Sequence, residues 1–437
     1  MCADIALADV QGLILRSYGM DALRVFALRV AQMGAAKLAL GKLPLASGAP
    51  WQQKPDYCVN LAITYPGLQA LGVPDASLTT FPEEFRQGAV QRAALIGDTG
   101  DSSPSNWQDG FAGSEIHVLV TLYAQTAAIR DQQSEALRSL WAGAMSEVSV
   151  KDADMLPGNV AHFGYRDGFS QPIVDGGLPS PLADPLPKAP AGEFVLGYQS
   201  QFSQFTYPVP QPPTLGLNGS FLALRILAQD CAAFDRLLSD APQKFGIDSE
   251  KLAAKLVGRW RNGVPLHASP DTDTPNPELP IEQFNNYDYL DDPRGLRCPL
   301  GAHMRRNNPR SSPIAGGIGT NHRIVRRGLP YGPPYDPAHP DDEIERGLLG
   351  IFICVSLKDQ FEFLMTEWVN GSLFAPGLGG TKDPILGDNS NNSGRFVIPV
   401  AGGKPIVITG FSRLVRTRGA AYAFLPSLSA VQFISAL

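Results

Sequence analysis

The chain has 437 residues and carries 42 acidic against 36 basic side chains, a formal charge of −6. That length makes two or three domains the expectation and leaves ample material for a core that also encloses a cofactor. The acidic balance excludes a general nucleic-acid binder, and no run approaches the roughly 18 apolar residues of a membrane span.

In chain order, residues 11–16 (QGLILR) read as a short apolar strand. Residues 21–31 read as a strand or an amphipathic helix, and periodicity does not decide between them. A strand over 59–65 runs into a helical turn over 66–71, then come a strand over 114–124 and a helix over 127–140. Pro and Gly thicken over 179–192, as expected of a loop or linker. A strand over 219–227 follows, then a helix over 230–239 with Asp230 as its N-cap. A strand over 350–357 leads into a helix over 358–370, and 396–400, 405–409 and 416–425 are strand-like. The C-terminal SLSAVQFISAL reads as a closing strand or helix. Each half runs strand, helix, strand and strand, helix, strand. This predicts an α+β fold of two units with antiparallel sheets rather than a doubly wound parallel sheet.

The stretches 265–299 and 307–347 are rich in Pro, Gly, Asn and Asp, and long irregular segments of this kind are usually functional or disordered. They flank an unusual charge cluster. Residues 297–328 hold Arg297, Arg305, Arg306, Arg310, Arg323, Arg326 and Arg327 and no Asp, Glu or Lys. A solvated basic face is the plain explanation. The exclusive use of arginine favours instead planar, bidentate recognition of carboxylate or phosphate. The patch also surrounds His303, one of only six histidines. Neutral imidazole is a usual axial ligand of haem iron, and haem carries two propionates that an arginine cluster would serve. Cys298 is a rival ligand in the same stretch.

Upstream, HFGYRDGFSQP places Asp167 and Gly168 in an Asp-Gly pair, a common turn. Phe163, Tyr165 and Phe169 are expected to bury its neighbours, and a desolvated carboxyl with a raised pKa is a candidate proton shuttle. His162 is the rival base and, from the residues alone, the preferred one.

Taken together and in order, these segments resemble the dye-decolourising peroxidase family across nearly the whole chain. GYRDGFSQP is similar to its G-x-x-D-G motif, NGSFLALRIL and LVGRWRNGVPL to its middle blocks, and CPLGAHMRRNNPR to the segment of the proximal histidine. HRIVRRGLPYG resembles the segment of the distal arginine, and GLLGIFICVSLKDQFEFLMTEWVN a late strand–helix block. DVQGLILRSYG resembles the opening of the family's longer members. The resemblance implies two ferredoxin-like domains, expected over 1–185 and 190–437, enclosing a haem cavity. It implies His303 as proximal ligand, Asp167 as distal acid–base residue and Arg326 as distal arginine, which overrides the preference for His162. Gly168, Arg306 and Arg310 are expected to help bind the cofactor, with Arg323 and Arg327 as propionate or structural partners. Asp383 and Asp388 both remain open as the acceptor for the histidine's second N–H.

The implied activity is a haem-dependent peroxidase that reduces hydrogen peroxide and oxidises dyes, phenols or similar donors one electron at a time. Trp260, Trp368, Tyr165 and Tyr331 are possible electron relays, although core or loop packing is the commoner role of such aromatics. The five cysteines are widely spaced and lack a C-x-x-C-H string, so the thiols are expected to be reduced and a b-type haem to be held non-covalently. The N-terminus MCADIALADVQG has no leader pattern, which makes the cytoplasm the expected compartment. No nucleic-acid or membrane partner is expected, and the chain is expected to be a monomer or small homo-oligomer. A haem-handling protein on the same fold, a binding module for an anionic partner and cargo of a protein nanocompartment are the alternatives.

Overall fold

A computed structural model describes residues 4–168, 170–178, 184–202, 205–275, 277–312, 314 and 321–437. Four strands build the first unit: β1 (Ala22–Val30), β2 (Tyr57–Ile63), β3 (Val118–Ala124) and β4 (Met145–Asp154). They lie in the order β4-β1-β3-β2, all antiparallel. Helices Met33–Gly41 and Ala127–Trp141 make the two crossovers. The second is capped by Thr126, whose hydroxyl accepts from the Ile129 N–H at 3.3 Å, and it sets Trp141 edge-on against Phe26 with centroids 5.2 Å apart.

The chain then forms two short strands that pair in parallel, β5 (Pro172–Val174) and β6 (Asp184–Ala189). Part of the proline-rich stretch expected as a loop is therefore strand, and its residues 179–183 lie outside the described ones. The second unit repeats the first. Its strands are β7 (Ser220–Gln229), β8 (Val325–Arg326), β9 (Leu329–Tyr331) and β10 (Gly347–Cys354). A separate hairpin, β11 (Gly394–Ile398) with β12 (Ile406–Phe411), precedes the last strand, β13 (Val415–Leu425). The order β13-β7-β10-β8 matches that of the first unit, with β9 extending the pairing of β10. The fold is thus α+β with two ferredoxin-like sheets. They join edge to edge where Phe424 of β13 pairs with Ile63 of β2.

Residues 11–16, expected as a strand, instead form a helical turn, Gly12–Leu15. A short apolar run without alternation suits either a strand or a buried helix, and tertiary contacts decided. The fully buried Gln11 amide donates to the Leu61 and Pro426 carbonyls at 2.7 and 2.8 Å and accepts from the Leu61 N–H at 2.9 Å. This ties the N-terminal segment to both units. Helix 230–239 was correctly placed: it spans Cys231–Ser239, with the Asp230 carboxylate accepting from the Ala233 N–H at 2.9 Å. The chain closes on helix Leu428–Ala436, capped by Ser427. No helix among the described residues is long and apolar enough to cross a membrane.

Strand β7 is buried along its whole length, so its alternation divides two interiors. Leu224 and Ile226 face the main core, whereas Arg225, Leu227 and Gln229 face a cavity. Arg225 is held there by Asp98 at 2.6 Å and Thr417 at 2.5 Å. Replacing Asp98 with alanine strands this buried cation. The expected cost is about 3–5 kcal/mol in urea unfolding. The double replacement Asp98→Ala with Arg225→Met should cost less than the single one; equal or greater loss in the double would show that the pair is not the source.

Candidate active site

The cavity comprises about 1310 Å³ of empty space, part of it open to solvent. Its floor is the face of β7 just described, extended by Leu348 and Phe352 of β10. One wall is the helix running through Leu357–Glu362 and Leu364–Val369, wound largely as a π-helix, which turns Phe361, Leu364 and Met365 inward. Such π turns collect at functional sites. Packed against that wall is the short helix His303–Asn307, and Arg323, Ile324 and Arg326 also line the cavity.

His303 is presented by a clamp of two arginines. Arg305 is fully buried and stacks 3.9 Å over the Tyr289 ring. It donates to the Asp292 carboxylate at 2.9 Å and to the Cys298 carbonyl at 2.6 Å. Arg306, equally buried, donates to the Trp368 carbonyl at 2.6 Å and to the Thr381 carbonyl and hydroxyl at 3.0 and 2.8 Å. A five-residue helix would not persist alone, so these contacts hold it in place.

The His303 ring lines the cavity, with its Nδ1 2.8 Å from Asp383 Oδ2. Asp383 is fully buried, and its other oxygen accepts from the Ile385 and Leu386 N–H groups at 2.8 and 2.9 Å. Asn307, one turn along the helix, donates to Asp383 Oδ2 at 2.9 Å. Burial alone would raise the Asp383 carboxyl; the His303 ring, the Leu386 N–H and the Arg306 charge outweigh it and hold it below the ordinary carboxylate range. A carboxylate at Nδ1 fixes the proton there, so the lone pair is on Nε2. The choice between Asp383 and Asp388 is thereby made. Asp388 is engaged instead by Arg413, Ser390 and Thr99.

Arg326 also lines the cavity. Its guanidinium donates to the Ser170 carbonyl at 2.8 Å, and its backbone N–H to the Gln171 side chain at 3.0 Å. Asp167 and Gly168 are not among the residues lining the cavity, although Ser170, three residues after Asp167, is. The expected burial around Asp167 is corrected: its carboxylate is exposed and accepts from the Gly168 N–H at 2.7 Å. Gly164 and Gly168 take positive φ of 82° and 87°, which reverses the chain on either side. Phe163 and Tyr165 consequently pack on Phe234 in the second unit's core rather than over the carboxylate. Phe169 lies outside the described residues. His162, the rival base, is buried with Nε2 at 2.7 Å from the Tyr331 carbonyl oxygen; burial lowers its pKa, and it does not line the cavity.

Four other expected residues also lie elsewhere. Arg306 is committed to the carbonyls named above. Arg310, at φ 53°, donates to the Asn285 carbonyl at 3.0 Å and to that of Tyr287. Neither lines the cavity. Cys298 is sealed in a separate apolar cluster, where burial pushes its thiol pKa up. Arg327 donates to the Leu13 carbonyl at 2.8 Å and stitches the N-terminal turn to β8; burial pulls its pKa down to about 10. Of the proposed surface relays, Trp260 and Trp368 are buried and Tyr165 and Tyr331 half-buried.

Arg225 and Gln229 were missed. The available signal was an arginine inside the uniformly apolar run FLALRIL, a polar group in what must be a buried strand. Arg225 is 2% exposed, and its Nε and Nη1 have no hydrogen-bond partner among the described residues. Among the described residues, those lining the cavity include three arginines, 225, 323 and 326, and no carboxylate. A site with one histidine lone pair, mainly apolar walls and three cations fits a flat, largely apolar, anionic cofactor that takes nitrogen as an axial ligand. Haem has that chemistry.

Comparison with known proteins gives the same direction. Residues 46–157 match the family model for the DyP dimeric alpha+beta barrel domain. The chain is 30% identical to dye-decolorizing peroxidase msp1 of Mycetinis scorodonius, over 99% of this chain and 88% of that protein. It is also 30% identical to a dye-decolorizing peroxidase of Auricularia auricula-judae, over 86% of this chain and 75% of that one. The crystal structure of the decolorizing peroxidase from Auricularia auricula-judae superposes with a TM-score of 0.83 at 27% identity, covering 99% of this chain and all of that one. A dye-decolorizing peroxidase complexed with 2,6-dimethoxyphenol gives a TM-score of 0.82 at 27% identity, with 99% and 100% of the two chains covered.

Proposed function

The chain belongs to the dye-decolorizing peroxidase family of haem peroxidases, and from that premise we propose that His303 is its iron ligand and that Arg326 and Asp167 work on the peroxide side. The observation that carries this reading is the His303–Asp383 pair opening onto a cavity that, among the described residues, is lined by three arginines and no carboxylate. Bound haem supplies the redox chemistry, with two electrons passing from organic donors to hydrogen peroxide one at a time.

The protein supplies position and charge. Asp383 holds the His303 ring in the tautomer that offers Nε2 and raises its basicity. Arg326, fixed by Ser170, stabilises negative charge on the departing peroxide oxygen, a preorganised electrostatic contribution. Asp167 moves a proton from one peroxide oxygen to the other; its location in the turn leading to Ser170 supports this. Arg225 and Arg323 serve the anionic edge of the cofactor. A non-covalent b-type haem is supported by the four described cysteines, Cys58, Cys231, Cys298 and Cys354, which are buried away from the cavity lining. Phenols and dyes are the donor class.

The chain purified with haem should show a histidine-ligated ferric spectrum and oxidise two equivalents of a phenolic donor per hydrogen peroxide consumed. A chain that takes up no haem when haem is abundant, or a haem-loaded one that leaves peroxide untouched, rules the proposal out.

A further inference from the structure

Arg306 is completely buried, yet among the described residues no carboxylate lies within ion-pair distance of it. Its acceptors are neutral: the carbonyls of Trp368, Gly371 and Thr381, and the Thr381 hydroxyl. Its Nε has no hydrogen-bond partner among the described residues, and the centre of the Phe374 ring lies 4.9 Å from the guanidinium. A fully desolvated cation held only by dipoles is costly. Burial pulls its pKa down to about 10, which still leaves it charged near neutrality.

The matching feature is Asp383, a fully buried carboxylate whose one cationic or ring partner at ion-pair distance among the described residues is His303. Arg306 grips Thr381, two residues from Asp383, while standing one turn from His303 on the same helix. The two buried charges therefore flank the histidine without touching one another. At low local dielectric such a field is weakly screened. A clamp alone would not require a charge, since an apolar side chain or an amide could fill the space.

We propose that Arg306 is a positioning residue for the His303–Asp383 pair, a buried cation that acts through Asp383 to limit how far the Nδ1 proton shifts toward the carboxylate, and so sets the reduction potential of iron held by His303. The inference rests on the iron-ligand reading above. Positive charge beside Asp383 weakens it as a proton acceptor. The imidazole then keeps its proton, donates less to iron, and the ferric state is less favoured. Removing the charge acts in one direction through both routes: stronger donation by His303 and a less positive surrounding each lower the potential.

The test compares the haem-loaded parent with Arg306→Lys, Arg306→Gln, Arg306→Met and Thr381→Val by spectroelectrochemistry and by resonance Raman of the ferrous iron–histidine stretch. Arg306→Gln and Arg306→Met should lower the midpoint potential and raise the stretching frequency. Arg306→Lys should stay near the parent in both. Thr381→Val removes a clamp hydrogen bond but no charge, and should move neither. Should the Met variant fail to hold haem, the Gln variant, which can still donate to the carbonyls, carries the comparison. An unmoved potential in the Gln variant, or a shift in Thr381→Val as large as in Arg306→Gln, overturns the role of Arg306 alone. A parent complex with no iron–histidine stretch overturns the His303 reading, and this inference with it.

Discussion

Replacing His303 with alanine should yield a folded chain that loses tight haem binding and essentially all peroxide turnover. Loss of a partner outside the metal's immediate ligands typically costs 10–100-fold in affinity or activity, so loss of the ligand itself should exceed about 100-fold. The fold should survive. His303 contributes to none of the apolar clusters, and its helix is held by Arg305 and Arg306 rather than by the imidazole. Alanine is also the best helix former. The thermal midpoint of the haem-free protein should therefore match that of the haem-free parent, while the Soret band of the loaded protein falls or shifts. A variant with the parent spectrum and full turnover would show that iron is held elsewhere.

The second large effect belongs to Arg326 and Asp167. Arg326→Leu should retain haem but slow peroxide activation by roughly 10²–10³-fold, the usual consequence of losing one preorganised charge donor. Asp167→Asn removes the proton carrier and should slow the same step by about 10²–10⁴-fold. Rapid mixing with hydrogen peroxide separates this step from donor oxidation. If both residues act on one peroxide molecule, the double variant should lose far less than the product of the two single losses. Independent, multiplying losses would place them on different events. Parent-like activation in Asp167→Asn would move the proton work to another group, and the exposure of its carboxylate makes this the more demanding of the two tests.

Local patterns in the chain carried much of the architecture. The arrangement of strands and helices in each half was enough to predict two α+β units, and the two sheets share one strand order. Asp230 was legible as a cap because an N-cap needs only its own side chain and the next turn. The turn at residues 12–15 was not legible, because its conformation depends on Gln11 reaching Leu61 and Pro426. The burial of Asp167 was misjudged for a related reason: aromatic neighbours in sequence become neighbours in space only if the backbone does not reverse, and two positive-φ glycines reverse it.

The arginine cluster shows the division most clearly. By itself the sequence determined that residues 297–328 concentrate arginine around one histidine, and that such a patch suits an anionic partner. Only the tertiary structure decided which arginine does what. Arg305, Arg306, Arg310 and Arg327 are turned inward onto carboxylate or carbonyl oxygens, whereas Arg323 and Arg326 reach the cavity, joined by Arg225 from a strand far away in the chain. The same holds for Asp383, picked over Asp388 by a 2.8 Å contact to His303 across 80 residues. Charge and residue type are local properties that a sequence displays directly. The direction of a side chain and its partner across the fold depend on packing among distant segments, and spacing along the chain does not encode that.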